Sequence, residues 1–138
     1  MYRWMPLLAR VLLSMIFIIS GFEKLAGPSQ TALAISAHGL PAAFALAILS
    51  GVIELGAGLA LIFGCGTRLA AGLLFLYLIP VTFVMHPPHT MFVQFLKNLA
   101  IMGGLLMAVA FGAGPGSVDV NVRRTSLWTR IFGERALR

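Results

Sequence analysis

The sequence predicts an all-α protein, an integral membrane four-helix up-down bundle with a short amphipathic C-terminal tail. Three observations predict it. The 138 residues are 59% apolar and 10% charged, with mean hydropathy +0.97, whereas a soluble domain carries about 25% charged residues. The apolar residues fall into four runs, each near the ~20 residues that a helix rising 1.5 Å per residue needs to cross a bilayer. The arginines gather at positions that four crossings bring to one side. Residues 1–119 form the four-span domain, and residues 120–138 form the tail.

The first span is predicted at residues 6–25. Arg3 and Arg10 precede VLLSMIFIIS, which looks like a secretory signal. No small-x-small cleavage site follows, and Phe22-Glu23-Lys24 comes at once, so the segment is expected to be retained. Arg10 lies one turn inside and is expected to snorkel to the interface. Gly27-Pro28-Ser29 breaks the chain after this span. The later part of the connection, residues 26–40, is expected to form a short interfacial helix ending at Gly39.

Pro41 is expected to open the second span, residues 41–63, because its missing N–H is not needed at a helix start. This span contains Glu54, and Gly56, Ala60 and Gly64 suggest a small-residue seam. Gly64-Cys65-Gly66 makes a tight turn before the third span, residues 67–85, which has Arg68 at its head. Pro80 should kink that span and free the Leu76 carbonyl. His86-Pro87-Pro88-His89 ends it.

The fourth span, residues 91–112, is the one around which the other elements were expected to gather. It contains Lys97 and Asn98. A lysine near the middle of a membrane helix costs about 2.5–3.5 kcal/mol, so Lys97 is expected to face protein or trapped water. Ala100, Gly104, Ala108 and Gly112 recur every four residues and suggest a packing seam on the same side. Gly114-Pro115-Gly116 stops the helix. In the tail, Leu127, Trp128, Ile131 and Phe132 share a stripe among Arg123, Arg124, Arg130, Arg135 and Arg138, the pattern of a helix lying on a membrane.

The net charge of +6 is an orientation signal. Every arginine, together with Asp119 and Glu134, lies near a terminus or at the turn before the third span. The remaining charges, Glu23, Lys24, Glu54 and Lys97, cancel. The positive-inside rule then makes both termini and the turn cytoplasmic, with His38, His86 and His89 on the far side. No nucleic-acid partner is implied. The single cysteine, Cys65, excludes an intrachain disulfide or a CxxC pair.

Glu23, Lys24, Glu54, His86, Lys97 and Asn98 come from all four spans, mostly from their outer halves. A bundle would converge them on one outward-opening polar pocket. Depths agree only in part: counted at 1.5 Å per residue, Glu54 lies about 20 Å below Pro41, and Lys97 about 9 Å below Met91. Glu54 and Glu23 are both open as the partner of Lys97. A buried ion pair can also serve only to fix which helices meet. His38 and His89 lie in connections. No metal ligand set, haem pair, phosphate loop or catalytic triad is legible.

At these residues the chain resembles the DoxX family of small four-span bacterial inner-membrane proteins. The matching pieces are Ser20-Gly21-Phe22-Glu23-Lys24-Leu25, His38-Gly39-Leu40-Pro41, and Glu54 with Gly56 and Gly58. Further pieces are Gly64-Cys65-Gly66-Thr67-Arg68, Lys97-Asn98-Leu99-Ala100 with Gly103-Gly104, and Gly114-Pro115-Gly116-Ser117-Val118-Asp119. They run in the family's order over residues 10–119. The resemblance implies an inner-membrane protein associated with a redox system, whose relatives include a thiosulfate:quinone oxidoreductase subunit. It carries over Lys24, Glu54, Lys97 and Asn98 as the polar core.

With no cofactor evident in the chain, a redox role implies a bound quinone, or a soluble or membrane oxidoreductase partner. The expectation is therefore a membrane subunit holding a small lipophilic ligand such as a quinone. Lys97 and Asn98 would bond its carbonyl, and Glu54 or Glu23 would exchange protons. The alternatives are a scaffold or chaperone that recruits soluble partners through the tail, and a transporter of small solutes or lipids. A homo-oligomer is compatible with each.

Overall fold

In the computed structural model, residues 4–114 and 117–119 are described, so the amphipathic tail helix expected over residues 120–138 lies outside the described residues. Among the described residues five helices follow in order: α1 (Met5–Ala26), α2 (Pro28–Ala37), α3 (Ala43–Phe63), α4 (Thr67–Met85) and α5 (Phe92–Phe111). All but α2 are long and apolar enough to cross a membrane. Short connections make neighbouring spans antiparallel. One end of the bundle carries His38, His86 and His89 and is called the His end below. The other carries Arg10 and Arg68 and is called the Arg end. Most large apolar side chains of the spans point outward, which in a bilayer costs nothing because the surrounding chains are as apolar as the core.

The tightest interface joins α1 to α3. On α1 the buried residues are Arg10, Ser14, Phe17 and Gly21. On α3 they include Ala47, Gly51, Glu54, Gly58 and Leu61. Both sets follow a spacing of four and three, the repeat that keeps one stripe facing a partner helix. Glycine makes the close approach: a Cβ on Gly21 would lie 2.5 Å from the Leu55 amide nitrogen and 2.9 Å from the Gly51 carbonyl oxygen. A Cβ on Gly58 would come within 3.0 Å of Ile18. The seam expected on α3 holds in part: Ala60 packs on the core and Gly64 is buried, but Gly56 is exposed with open space beside it, and Gly51 and Gly58 make the contact with α1.

Phe17, Leu61, Leu74, Leu78 and Leu105, with the small Ala57, Ala70 and Ala71, make the continuous core. α5 contributes Leu105 to it, with Ile101, Met102, Ala108 and Val109 packed alongside. Its buried residues are Asn98 and Leu105, and it packs mainly on α4. Gly104 faces Leu13 of α1 and Ala108 packs on the core as the expected seam requires, but Ala100 is exposed.

Helix ends depart from expectation where backbone conformation intervenes. Pro28 stands in the first turn of α2, so the helix begins directly after Gly27 and runs to Ala37. Pro41 does not open α3. Ala42 adopts a left-handed conformation, φ 53°, and the helix starts only at Ala43.

At the Arg end, Arg10 does not snorkel. It is buried, and its guanidinium lies under Gly64, where a Cβ would collide with it. The turn at residues 64–66 is held from the other side by residues 117–119. The Asp119 carboxylate accepts hydrogen bonds from the Gly66 and Thr67 amides at 2.7 and 2.9 Å, and the Asp119 amide donates to the Gly64 carbonyl. Asp119 thereby caps α4, where a carboxylate suits the positive helix end, and it also attracts Arg10 electrostatically. Arg68 reaches across to the last turn of α5, donating to the Ala110 carbonyl.

Candidate functional site

The candidate site is built at the His end of the α1–α3 seam. Lys24 stands in the last turn of α1, on the stripe that continues Phe17 and Gly21. Because Gly21 lets the two backbones meet, Lys24 reaches Glu54 on α3. Its ammonium lies 2.5 Å from Glu54 Oε1. Ser20, one turn earlier on α1, accepts a second hydrogen bond from Lys24 at 3.0 Å. From α4 the Tyr77 hydroxyl makes a longer 3.5 Å contact with the same ammonium, and the phenol also interacts with Glu54 and Ser50. The Glu54 side chain is 5% exposed and that of Lys24 21%. Two ions so far from water persist because they neutralise one another and are hydrogen-bonded.

Lys24 and Tyr77 form the polar floor of a cavity of about 380 Å³, within the size range of small-molecule sites. α3 forms its back through Leu46, Leu49, Ser50 and Ile53, while α4 forms one side through Pro80, Val81, Val84 and Met85. α2 contributes Thr31 and Ile35, and Leu40 and His86 also line the cavity. Leu46, Leu49 and Val84 are exposed as well as lining it. The lining is mostly apolar, with Lys24, Tyr77, Ser50, Thr31 and His86 as its polar members, a composition suited to an amphiphile.

The residues expected to form the site are divided by the structure. Lys24 and His86 line the cavity, and Glu54 lies behind its floor, bonded to Lys24. Glu23 and Lys97 are exposed, and Asn98 is buried on α5; none of these three lines the cavity. The expectation that Lys97 faces the interior is corrected, since Glu54 takes Lys24 as its partner. Lys97 occupies the outward face of α5, close enough to the His end for its stem to carry the ammonium toward the interface. Among the described residues, no hydrogen-bond partner reaches Glu54 Oε2, His86 Nδ1 or Asn98 Nδ2. No group of three His, Cys, Asp or Glu residues among them is arranged to hold a metal ion.

Tyr77, Ser50, Ser20 and Thr31 were not anticipated. A signal existed for two of them. Tyr77 is the one tyrosine inside a span, and Ser20 stands one helical turn from Lys24. Pro80, expected only as a kink, sits inside α4 and lines the cavity.

Comparison with known proteins adds a family. A family model described as DoxX matches residues 5–87, a stretch that contains every residue of the cavity. The chain is 34% identical over 116 residues to inner membrane protein YqjF of Escherichia coli (strain K12), covering 82% of this chain and 88% of that protein. It is 31% identical over 121 residues to inner membrane protein YphA of the same organism, covering 82% and 86%. No solved structure matches it significantly.

Proposed function

This chain belongs to the DoxX family, and from that premise we propose that it is a membrane subunit of a redox system that binds a quinone in the cavity between α2, α3 and α4. The observation that carries the reading is the pairing of an apolar wall with the Lys24 ammonium, whose third N–H meets only the Tyr77 hydroxyl at 3.5 Å. A quinone offers the complement, a carbonyl acceptor on a flat ring carrying an apolar chain.

Each residue then has a task. Lys24 donates its third N–H to the carbonyl that reaches the floor, displacing its long contact with Tyr77. Glu54 balances the Lys24 charge, so the floor can lie deep without an uncompensated ion. Ile53, Val81 and Val84 exclude water from the ring. The exposed Leu46 and Leu49 let a chain leave sideways into the bilayer, so a membrane-dissolved ligand needs no passage through water. Lys97 and Asn98 have no part in this version. The redox association itself is supported by the resemblance to the family, and electron transfer is assigned to a partner protein. For orientation, the segregation of arginine supports cytoplasmic termini, and reporter fusions at Arg138 and at residues 86–89 test that.

The experiment is extraction. Protein purified from its membrane in mild detergent is stripped with organic solvent, and quinones are quantified by mass spectrometry. Near-stoichiometric quinone in the native chain, reduced in a Lys24→Met, Glu54→Gln variant whose neutral pair keeps the fold, is the expected result. Quinone at the level carried by an unrelated membrane protein would refute the reading.

A further inference from the structure

The polar end of the cavity is a cation that has already been neutralised. Lys24 Nζ lies 2.5 Å from Glu54 Oε1 and 3.0 Å from Ser20 Oγ. An ammonium has three N–H donors, and these two partners occupy two of them. The third direction holds the Tyr77 hydroxyl at 3.5 Å, a long contact that a better acceptor can replace. Lys24 and Tyr77 both line the cavity, whereas Glu54 stands behind them. A head group arriving at this floor therefore meets a donor, yet the floor as a whole carries no net charge.

This arrangement treats two kinds of lipophile differently. An uncharged carbonyl takes the available ammonium proton and leaves the ion pair, and the contact of Tyr77 with Glu54, undisturbed. A carboxylate or phosphate brings a net charge into an apolar-walled site whose cation is already neutralised by Glu54, a side chain 5% exposed. The hydration that the anion gives up is then offset only in part. The anion must either bear that desolvation or draw Lys24 away and leave Glu54 buried and unpaired, which is costly.

Building on the proposal that the cavity holds a lipophile, we infer that Glu54 sets its charge selectivity, admitting uncharged carbonyl-bearing lipophiles and rejecting anionic amphiphiles such as free fatty acids. The distinction matters because both kinds dissolve in the same leaflet and share the same apolar tail, so the walls cannot tell them apart. Glu54 is thus a positioning and specificity residue that acts through Lys24.

The test uses the full chain in detergent and two probes with the same decyl chain, one ending in a benzoquinone and one in a carboxylate. Dissociation constants are measured by calorimetry at neutral pH for the native protein, Glu54→Gln and Lys24→Met/Glu54→Gln. The native protein is expected to prefer the quinone by at least about tenfold, from the desolvation of a carboxylate that meets no free counter-charge. In Glu54→Gln the Lys24 charge is released, and the quinone-to-carboxylate preference is expected to fall at least about tenfold or to invert. Removing Lys24 as well should abolish the gain for the carboxylate. If the native protein binds both probes equally, the inference fails while the cavity reading stands, and this holds whether or not Glu54→Gln folds. If the native protein binds neither probe, both fall. An unchanged preference in a folded Glu54→Gln protein, verified by its melting curve, would reduce Glu54 to a structural partner and overturn the inference.

Discussion

Removing one ion of the Lys24–Glu54 pair should destabilise the bundle unequally, depending on which ion is removed. Lys24→Met leaves the Glu54 carboxylate, 5% exposed, without its cation. That is the case of a buried pair broken from one side, which costs about 3–5 kcal/mol. Tyr77, already interacting with Glu54, supplies only one hydroxyl to the orphan. Glu54→Gln leaves Lys24 instead, and its side chain is 21% exposed and still bonded to Ser20. The remaining ammonium can take up water at the cavity, so the cost should be smaller, on the order of 1–3 kcal/mol. Replacing both should recover most of the loss, because a neutral pair has no ion to desolvate. The coupling read from the cycle should therefore be about 2 kcal/mol or more, well above the scatter of independent sites. The assay is reversible unfolding in mixed micelles, with all four proteins compared at one detergent composition. Strict additivity would refute the reasoning, as would Glu54→Gln proving costlier than Lys24→Met. A parallel cycle with Lys97→Met and Glu54→Gln should show no coupling.

The remaining predictions concern the frame that carries the pair. Gly21→Ala must move a Cβ from 2.5 Å off the Leu55 backbone to ordinary contact. It should cost about 1–3 kcal/mol by overpacking and lower the melting temperature in detergent, whereas Gly56→Ala, facing open space, should not. Asp119→Ala removes the acceptor for two amides at the start of α4 and the charge attracting buried Arg10. A loss of about 1–2 kcal/mol is expected from the cap alone, and hydrogen exchange should quicken at Gly66 and Thr67. Lys97→Met should leave stability in lipid within about 0.5 kcal/mol, as for a surface change; a large loss would contradict its placement on the outward face of α5.

The sequence predicted the spans closely because bilayer thickness, hydropathy and glycine-proline punctuation fix where a membrane helix starts and stops. The third span, residues 67–85, coincides with α4, and the others differ from their helices by two residues or fewer at either end. Helix rotation was less legible. Gly56 and Gly58 both follow Glu54 by short steps, and only contact with α1 decides that Gly58 is the seam residue. The same limit governs the ion pair. Counting rise per residue compared Glu54 with Lys97 along separate helices, and it could not reveal that Gly21 draws α1 against α3 and brings Lys24 within reach. Tyr77 was illegible for another reason, since a phenol in an apolar run looks like any core aromatic until its neighbours are known. Arg10 was expected to snorkel because a lone arginine near a helix end usually can. Its burial depends on residues 117–119 folding back over the turn, a contact between segments far apart in the chain.

The occupant of the cavity can be located directly by photolabelling. A short-chain quinone bearing a photoreactive group on its ring is added to the protein in lipid, and adducts are mapped by mass spectrometry. Adducts concentrated on Ile53, Tyr77, Val81 and Val84, and reduced by excess unlabelled quinone, are the predicted result. Adducts spread over the lipid-facing side of α5, at residues such as Leu96 and Met107, and indifferent to competitor would contradict a ligand site above Lys24.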